Sequence, residues 1–157
     1  MKANKNYKVS DSVEFVQEHP TQYLVSKKPV SLHDMSTFEK MEIVKRGVSK
    51  RYLESFKKQA ELDYDQLAAA LSVTRATLIN KKGEDTFNDH VSERIISLAD
   101  LYAFGYDVFG RPERFNQWMF TPNQAIGKQP PFDIIDNYYG REAIRNIIGR
   151  IAYGVYS

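Results

Sequence analysis

The run Tyr64-Asp-Gln-Leu-Ala-Ala-Ala-Leu-Ser-Val-Thr-Arg-Ala-Thr-Leu-Ile-Asn80 reads as two short helices around a break. Asp63 suits the N-cap of the first, in which Leu67, Ala68 and Leu71 recur at helical spacing. Ser72-Val73 interrupts it, and Thr74 caps a second helix that carries Leu78 and ends at Gly83. A helix-turn-helix requires a small residue where its helices cross and apolar residues that lock the pair. Ala68 fills the first role, and Leu67, Leu71, Val73 and Leu78 the second. The second helix is then expected to project Thr74, Arg75, Thr77, Asn80 and Lys81, followed by Lys82, residue types that bond phosphates and base edges. The competing reading is a plain helical hairpin. Leu-Ala-Ala-Ala-Leu is common helix filler, Ser72 stands where the turn usually has glycine, and Lys81 falls where an apolar residue is often found.

Upstream, Ser49 caps a helix with Tyr52, Leu53, Phe56 and Ala60 on its apolar face and Lys50, Arg51, Lys57 and Lys58 expected outside. Before it, Ser36 with Glu39 spells a capping box, and Phe38, Met41 and Val44 give an apolar face up to Gly47. The first thirty or so residues mix Lys, Asn, Ser, Tyr and Val with Pro20 and Pro29. They read as a mobile lead-in with short structured pieces.

Downstream, Ser92 opens a strong stripe of Ile95, Leu98, Ala99, Tyr102, Tyr106 and Phe109, closed by Gly110. Gly105 inside it signals close helix packing. Pro112 suits the first turn of a helix with Phe115, Trp118 and Met119, stopped by Thr121-Pro122-Asn123. Pro130-Pro131 leads into Phe132, Ile134, Ile135 and Tyr139, ended by Gly140. A last helix runs from Arg141 to Tyr153 with Ile144, Ile147, Ile148 and Ile151 inside. Strand alternation is nowhere sustained, so the expected fold is all-α: a Cro-like helix-turn-helix domain at 47–90, a small helical domain at 91–157, and a lead-in with one helix at 1–46.

The 157 residues carry 22 Lys plus Arg, 20 Asp plus Glu and no cysteine. A disulfide framework, a thiolate zinc site and a cysteine nucleophile are thereby excluded. By segment, residues 1–46 carry 8 basic and 6 acidic side chains, 47–90 carry 7 and 7, and 91–157 carry 7 and 7. Any DNA-binding surface must therefore be local, and Arg75, Lys81 and Lys82 form such a patch. The longest apolar run, Leu67 to Leu71, falls far short of a membrane span, and a cytoplasmic protein is expected.

Catalytic constellations are poor. His19, His33 and His90 lack metal-ligand spacing, and the glycine pairs 105/110 and 149/154 are not followed by Lys-Ser/Thr, so neither is a phosphate cradle. No enzyme, metal or cofactor is expected. The aromatics Tyr102, Phe104, Tyr106, Phe109, Phe115, Trp118 and Phe120 have only Arg111 and Arg114 among them, which favours core packing over base stacking. The run Arg145 to Ser157 is informative in another way. Arg145 and Arg150 bracket Gly149, and Tyr153, Val155 and Tyr156 make an unusually apolar tail around Gly154.

The pattern resembles the Xre/MbcA/ParS-type antitoxins that pair with RES-domain toxins. The matching pieces, in the family's order, are the helix-turn-helix, Ser92-Glu-Arg-Ile-Ile-Ser-Leu-Ala99, Val108-Phe-Gly110, Phe115-Asn-Gln-Trp-Met119, Thr121-Pro-Asn-Gln-Ala-Ile-Gly127, Pro131-Phe-Asp-Ile-Ile135, Gly140 and Arg150-Ile-Ala-Tyr-Gly-Val155. Met119 and Ile126 replace leucines, which keeps size and apolarity. The resemblance implies an antitoxin without enzymatic activity of its own. Arg150, Tyr153, Gly154, Val155, Tyr156 and Ser157, with Arg145 a further candidate, would cover the active site of a toxin that consumes NAD or transfers its ADP-ribose moiety. It also implies repression of its own operon by operator DNA binding through Arg75, Thr77, Asn80 and Lys81, as a homodimer or larger assembly in which Thr37 to Arg46 helps pair the copies. The rival expectation is a stand-alone transcription regulator, with an accessible ligand pocket among Tyr102 to Trp118. An NAD-using enzyme would need an acid, base or nucleophile in a glycine-rich site, which the sequence does not offer.

Overall fold

A computed structural model describes the backbone of Glu14–Phe15 and residues 19–25 and 28–154. In chain order these residues form strands β1 (Glu14–Phe15), β2 (Gln22–Val25) and β3 (Lys28–Ser31), then helices α1 (Thr37–Arg46), α2 (Lys50–Ala60), α3 (Tyr64–Leu71), α4 (Arg75–Ile79), α5 (Asp89–Phe109), α6 (Pro112–Met119) and α7 (Tyr138–Ala152). The class is all-α, with one small antiparallel sheet of order β1-β2-β3. The sheet was not anticipated from the sequence. Pro29 is compatible with it because β3 is an edge strand, where a missing N–H leaves no ladder bond unmade. The sheet is pinned to the helices: Tyr23 is buried against Tyr52, whose hydroxyl donates to the Pro20 carbonyl at 2.7 Å, and Leu32 N–H donates to Thr21 O.

Helix starts follow the capping chemistry. Ser36 and Asp63 each make a reciprocal box, with Glu39 and Gln66, and Ser49 and Thr74 accept from Tyr52 N–H and Thr77 N–H. Three boundaries differ from expectation. The central helix begins at Asp89, capped by Asn88, because the Ser92 hydroxyl is buried and engaged between Phe87 O and Val48 N–H. The recognition helix stops at Ile79 rather than Gly83. The last helix begins at Tyr138, capped by Asn137, so Gly140 lies inside it instead of ending the element before it.

α5 organises the molecule. Twenty-one residues long, it packs against α1, α2, α3, α6 and α7 and so spans the boundary expected at 90/91. Ile95, Leu98, Ala99, Leu101 and Tyr102 are fully buried along it. Tyr102, Tyr106 and Phe115 meet edge-on with ring centroids 5.1–5.9 Å apart, the arrangement aromatic quadrupoles favour. Burial pushes the Tyr102 and Tyr106 hydroxyls well above the usual tyrosine range. Of the seven aromatics, Tyr102, Tyr106 and Phe115 are buried, Phe104, Phe109 and Trp118 are half-buried against them, and Phe120 is exposed, stacked on Phe132. A Cβ on Gly105 would lie 2.2 Å from the Phe115 ring, which accounts for the glycine in mid-helix. Among the described residues no helix is long and apolar enough to cross a membrane.

Candidate functional site

Two surfaces emerge. The first is the pair α3–α4. Leu67, Ala68, Leu71 and Leu78 are buried between the helices, and Val73 packs against them from the turn. Ser72 adopts the left-handed conformation at φ 51°, which costs a serine roughly 1 kcal/mol relative to glycine. Its contacts offset that: the N–H reaches Ala68 and Ala69 carbonyls, Oγ donates to Asp136 O at 2.7 Å, and Arg94 Nη1 donates to Ser72 O at 3.0 Å. The turn is thus anchored to α5 and to the segment that starts α7.

α4 is only five residues long, and its end is held by a side chain from α2. Lys50, expected outside, is buried at 7% exposure, and its ammonium donates to Leu78 O at 2.5 Å. The ammonium also sits 3.5 Å from a Glu54 carboxylate oxygen and 4.7 Å above the Tyr64 ring, so the buried charge is compensated. Lys50→Met is expected to leave Leu78 O unpaired at a cost of about 2 kcal/mol. A lower midpoint of denaturant unfolding checks this, and a midpoint equal to the parent's would show that the bond contributes nothing.

The loop after α4 turns back over the start of α2. Gly83 O and Asp85 O accept from Arg51 and Lys50 N–H, two groups a helix start leaves unpaired, while Arg51 Nε pairs with Glu84 at 2.7 Å. This closure explains why α4 ends early. Of the six side chains expected on the DNA-facing surface, Thr74 and Arg75 are exposed at the start of α4. Thr77 is half-buried, its hydroxyl 2.8 Å from that of Thr74. Asn80 is exposed at the C-cap, and Lys81, half-buried, and Lys82, exposed, lie on the loop beyond the helix rather than on it. Arg75 approaches Asp65 at 3.7 Å, a solvent-exposed pair of small energetic weight. Ala76 and Ile79 are exposed on α4 as well, and the Lys-Arg-Asn emphasis of the sequence reading passed them over.

The second surface is α7. Ile144, Ile147 and Ile148 are buried, and Gly140 lets the helix start rest against the Ile134 carbonyl. Arg141 Nη1 donates to Ile135 O at 3.0 Å, and burial draws its guanidinium below the usual arginine range. Arg150, Tyr153 and Gly154 are exposed, Tyr153 at 87% and Gly154 at φ 67°. Val155, Tyr156 and Ser157 lie outside the described residues. Arg145 is placed differently: it lies on another face of α7 from Arg150, 3.6 Å from Asp100 and 3.3 Å from Glu142. Asp100 also receives Lys40 at 3.1 Å and faces His33 Nδ1 at 3.4 Å, so one carboxylate joins α1, α5, α7 and the segment before α1. Sequence reading missed this hub because its four members are scattered along the chain.

His33 stacks on Phe104 with centroids 4.0 Å apart, while His19 and His90 are exposed. Among the described residues no three metal-ligating side chains come together. A small pocket lies where β2 meets α1 and α2, lined by Tyr23, Ile43, Arg46, Gly47, Val48, Ser49 and Tyr52.

Residues 39–100 match the family described as antitoxin Xre-like helix-turn-helix domain, and residues 105–154 match the antitoxin Xre/MbcA/ParS C-terminal toxin-binding domain. The chain is similar to a protein of Sphingobium sp. (strain YBL2) named Prs ADP-ribosylating antitoxin, 25% identical over 138 residues that span 81% of this chain and 86% of the relative. It is 24% identical over 119 residues to an antitoxin Xre of Yersinia enterocolitica, covering 74% of this chain and 80% of that one. An antitoxin Xre of Photorhabdus laumondii is 30% identical over 76 residues, 48% of this chain and 51% of the relative.

Proposed function

Because this chain belongs to the Xre/MbcA/ParS-type antitoxins, we propose that it neutralises a RES-domain toxin and represses its own operon. Arg150, Tyr153, Gly154, Val155, Tyr156 and Ser157 cover the toxin's active site, and Thr74, Arg75, Thr77, Asn80, Lys81 and Lys82 face operator DNA. The observation that carries this reading is the exposed end of α7. A helix whose inner stripe is buried isoleucine finishes in an exposed arginine and an 87% exposed tyrosine, and the sequence continues with Val155 and Tyr156. Arginine pairs with carboxylates and phosphate-like groups, and tyrosine stacks, so the segment suits a cleft built for an anionic dinucleotide. The ADP-ribosylation in one relative's name fits a toxin of that chemistry. Arg145 serves α7 packing through Asp100 and contributes to toxin binding by holding the helix in place.

On the DNA side, one helix-turn-helix with few cations binds weakly, so the protein acts as a homodimer that reads two half-sites. The exposure of Phe38 at 78% and Met41 at 49% on α1 supports pairing through that helix, with residues 1–46 as the dimerisation region, 47–90 as the DNA-binding domain and 91–157 as the toxin-binding domain. Arg75→Ala combined with Lys81→Ala is expected to weaken operator retention on a native gel by roughly tenfold or more, each lost phosphate or base contact being worth about 1 kcal/mol. Capture of the toxin on tagged antitoxin stays unchanged in the same variant. Undiminished retention would remove operator contact from α4 and its loop, and lost capture would show that these side chains serve the toxin instead.

A further inference from the structure

The outward side of α4 has an apolar centre. Leu78 is fully buried and Thr77 half-buried, so these two residues set the inward side of the helix. Asn80 keeps right-handed helical geometry at the C-cap, and at about 3.6 residues per turn the opposite side is an arc of about 140° that runs Arg75, Ile79, Ala76, Asn80. All four are exposed. Ile79 and Ala76 are the middle pair, and the arginine and the amide stand at the margins. Ile79 is 40% exposed, although a β-branched side chain is a poor choice for a short helix facing water.

Around this centre the surface is polar or cationic. Thr74 precedes it, and Lys81 and Lys82 follow on a loop whose course is held by the bond from Lys82 N–H to the Asp85 carboxylate. Asp65 approaches from α3 on the Arg75 margin, at 3.7 Å from that guanidinium. Two apolar side chains ringed by groups that pair with phosphates fit a nucleic-acid duplex better than the apolar recess of a protein. Among the base edges of a major groove the apolar feature is the thymine C5-methyl group. We infer that Ile79 and Ala76 read thymine methyl groups, so that each operator half-site carries thymine beneath the middle of α4, while Lys81 and Lys82, beyond the end of the helix, hold the phosphate backbone. This deepens the operator-binding reading above and rests on it.

A methyl contact has no direction of its own, so discrimination rests on how firmly the helix is placed. α4 is held at both ends, by the Lys50 bond to Leu78 O and by the bonds of Ser72 to Asp136 O and of Arg94 to Ser72 O in the turn before it. Ala76 is small enough to let the helix approach the bases, and the branched Ile79 supplies the contact area. Deoxyuridine pairs as thymidine does and lacks only the methyl group, which makes it the probe. The DNA upstream of this chain's reading frame is copied with deoxyuridine triphosphate in place of thymidine triphosphate, and the full chain is titrated onto both fragments by fluorescence anisotropy. The parent is expected to bind the uracil fragment about tenfold or more weakly, a few-fold for a methyl group lost in each of two half-sites. Ile79→Ala is expected to bind the thymine fragment about tenfold or more weakly, and its further loss on uracil shrinks to about threefold or less. Ile79→Val keeps most of the affinity and most of the uracil penalty. The side chain is exposed, so unfolding temperature and capture of the toxin stay as in the parent.

Equal affinity of the parent for the two fragments would overturn the inference. So would an Ile79→Ala variant that keeps the parent's full uracil penalty, because the methyl groups would then be read elsewhere, or one that loses toxin capture in place of DNA affinity, because the face would then belong to a protein. Failure of the unaltered chain to bind the thymine fragment would refute the operator-binding reading itself, and is told apart from the other outcomes by appearing before any base or residue is changed.

Discussion

Replacing Gly140 by alanine is expected to cost about 3 kcal/mol or more, the largest effect of any single methyl group in this fold. The added Cβ would sit 1.5 Å from the carbonyl oxygen of Ile134 and 2.6 Å from its carbon. Backbone cannot rotate out of the way as a side chain can, so α7 must lift from the Pro131–Ile134 turn, and the burial of Ile144, Ile147 and Ile148 suffers with it. Gly105 provides the comparison. There the obstructing atoms belong to the Phe115 ring at 2.2–2.4 Å, and Gly105→Ala is expected to cost about 1–3 kcal/mol as the ring repacks. Thermal unfolding followed by circular dichroism checks both. For a chain of this size Gly140→Ala should lower the midpoint by roughly 6–12 °C, more than Gly105→Ala, and a reversal of that order would show that the turn before α7 yields more readily than the aromatic core.

The second large effect is functional. Removing residues 155–157 takes away Val155, Tyr156 and Ser157, the end of the segment proposed to cover the toxin's active site. If these residues cover the toxin's active site, inhibition weakens by roughly tenfold or more, the consequence of losing one buried aromatic anchor. The complex itself is expected to persist, because Arg150 and Tyr153 remain at the exposed end of α7. Toxin activity measured at saturating truncated antitoxin checks this: residual activity in a formed complex is the expected result. Complete inhibition would place the blocking groups further up α7.

The sequence was most legible where a local rule and the tertiary structure ask for the same residue. Ser36, Ser49, Asp63 and Thr74 all cap the helices expected of them, and Gly110 and Pro112 close α5 and open α6. It misled where one residue type has two uses. Ser92 is as good an N-cap as Asn88, but its hydroxyl is drawn into the core by Val48 N–H and Phe87 O. A glycine ends helices when it adopts positive φ, as Gly110 does; Gly140 is there for close approach to Ile134 O, which no local pattern distinguishes. Lys50 is the first residue of α2, beside the packing face that Tyr52, Leu53 and Phe56 form, and is itself buried. Only its charge suggested solvent, and the acceptor that lets it turn inward, Leu78 O, lies 28 residues away.

Of the two surfaces, the helix-turn-helix was legible as a motif but not in its cations. Lys81 and Lys82 were expected on a helix that in fact stops at Ile79, because Gly83 O and Asp85 O are needed to pair the first N–H groups of α2. On α7, Arg150 and Tyr153 of the terminal run are exposed, and Val155, Tyr156 and Ser157 lie outside the described residues. Tyr139 was expected in the apolar segment before Gly140, because the last helix was expected to begin after that glycine; it lies instead in the first turn of α7, where it is 81% exposed. The three short strands went unread because runs of two or four residues, one of them holding Pro29, carry too little alternation to separate them from loop.

Restraint of a toxin by this chain is read in the cell by co-expression with the adjacent reading frame, with a tag on this chain and growth and cellular NAD followed over time. The neighbouring protein alone is expected to halt growth, and this chain to restore growth and draw the neighbour down in a stable complex. Growth arrest that persists although both proteins are made, or a neighbour that is harmless and does not co-purify, would refute the antitoxin reading.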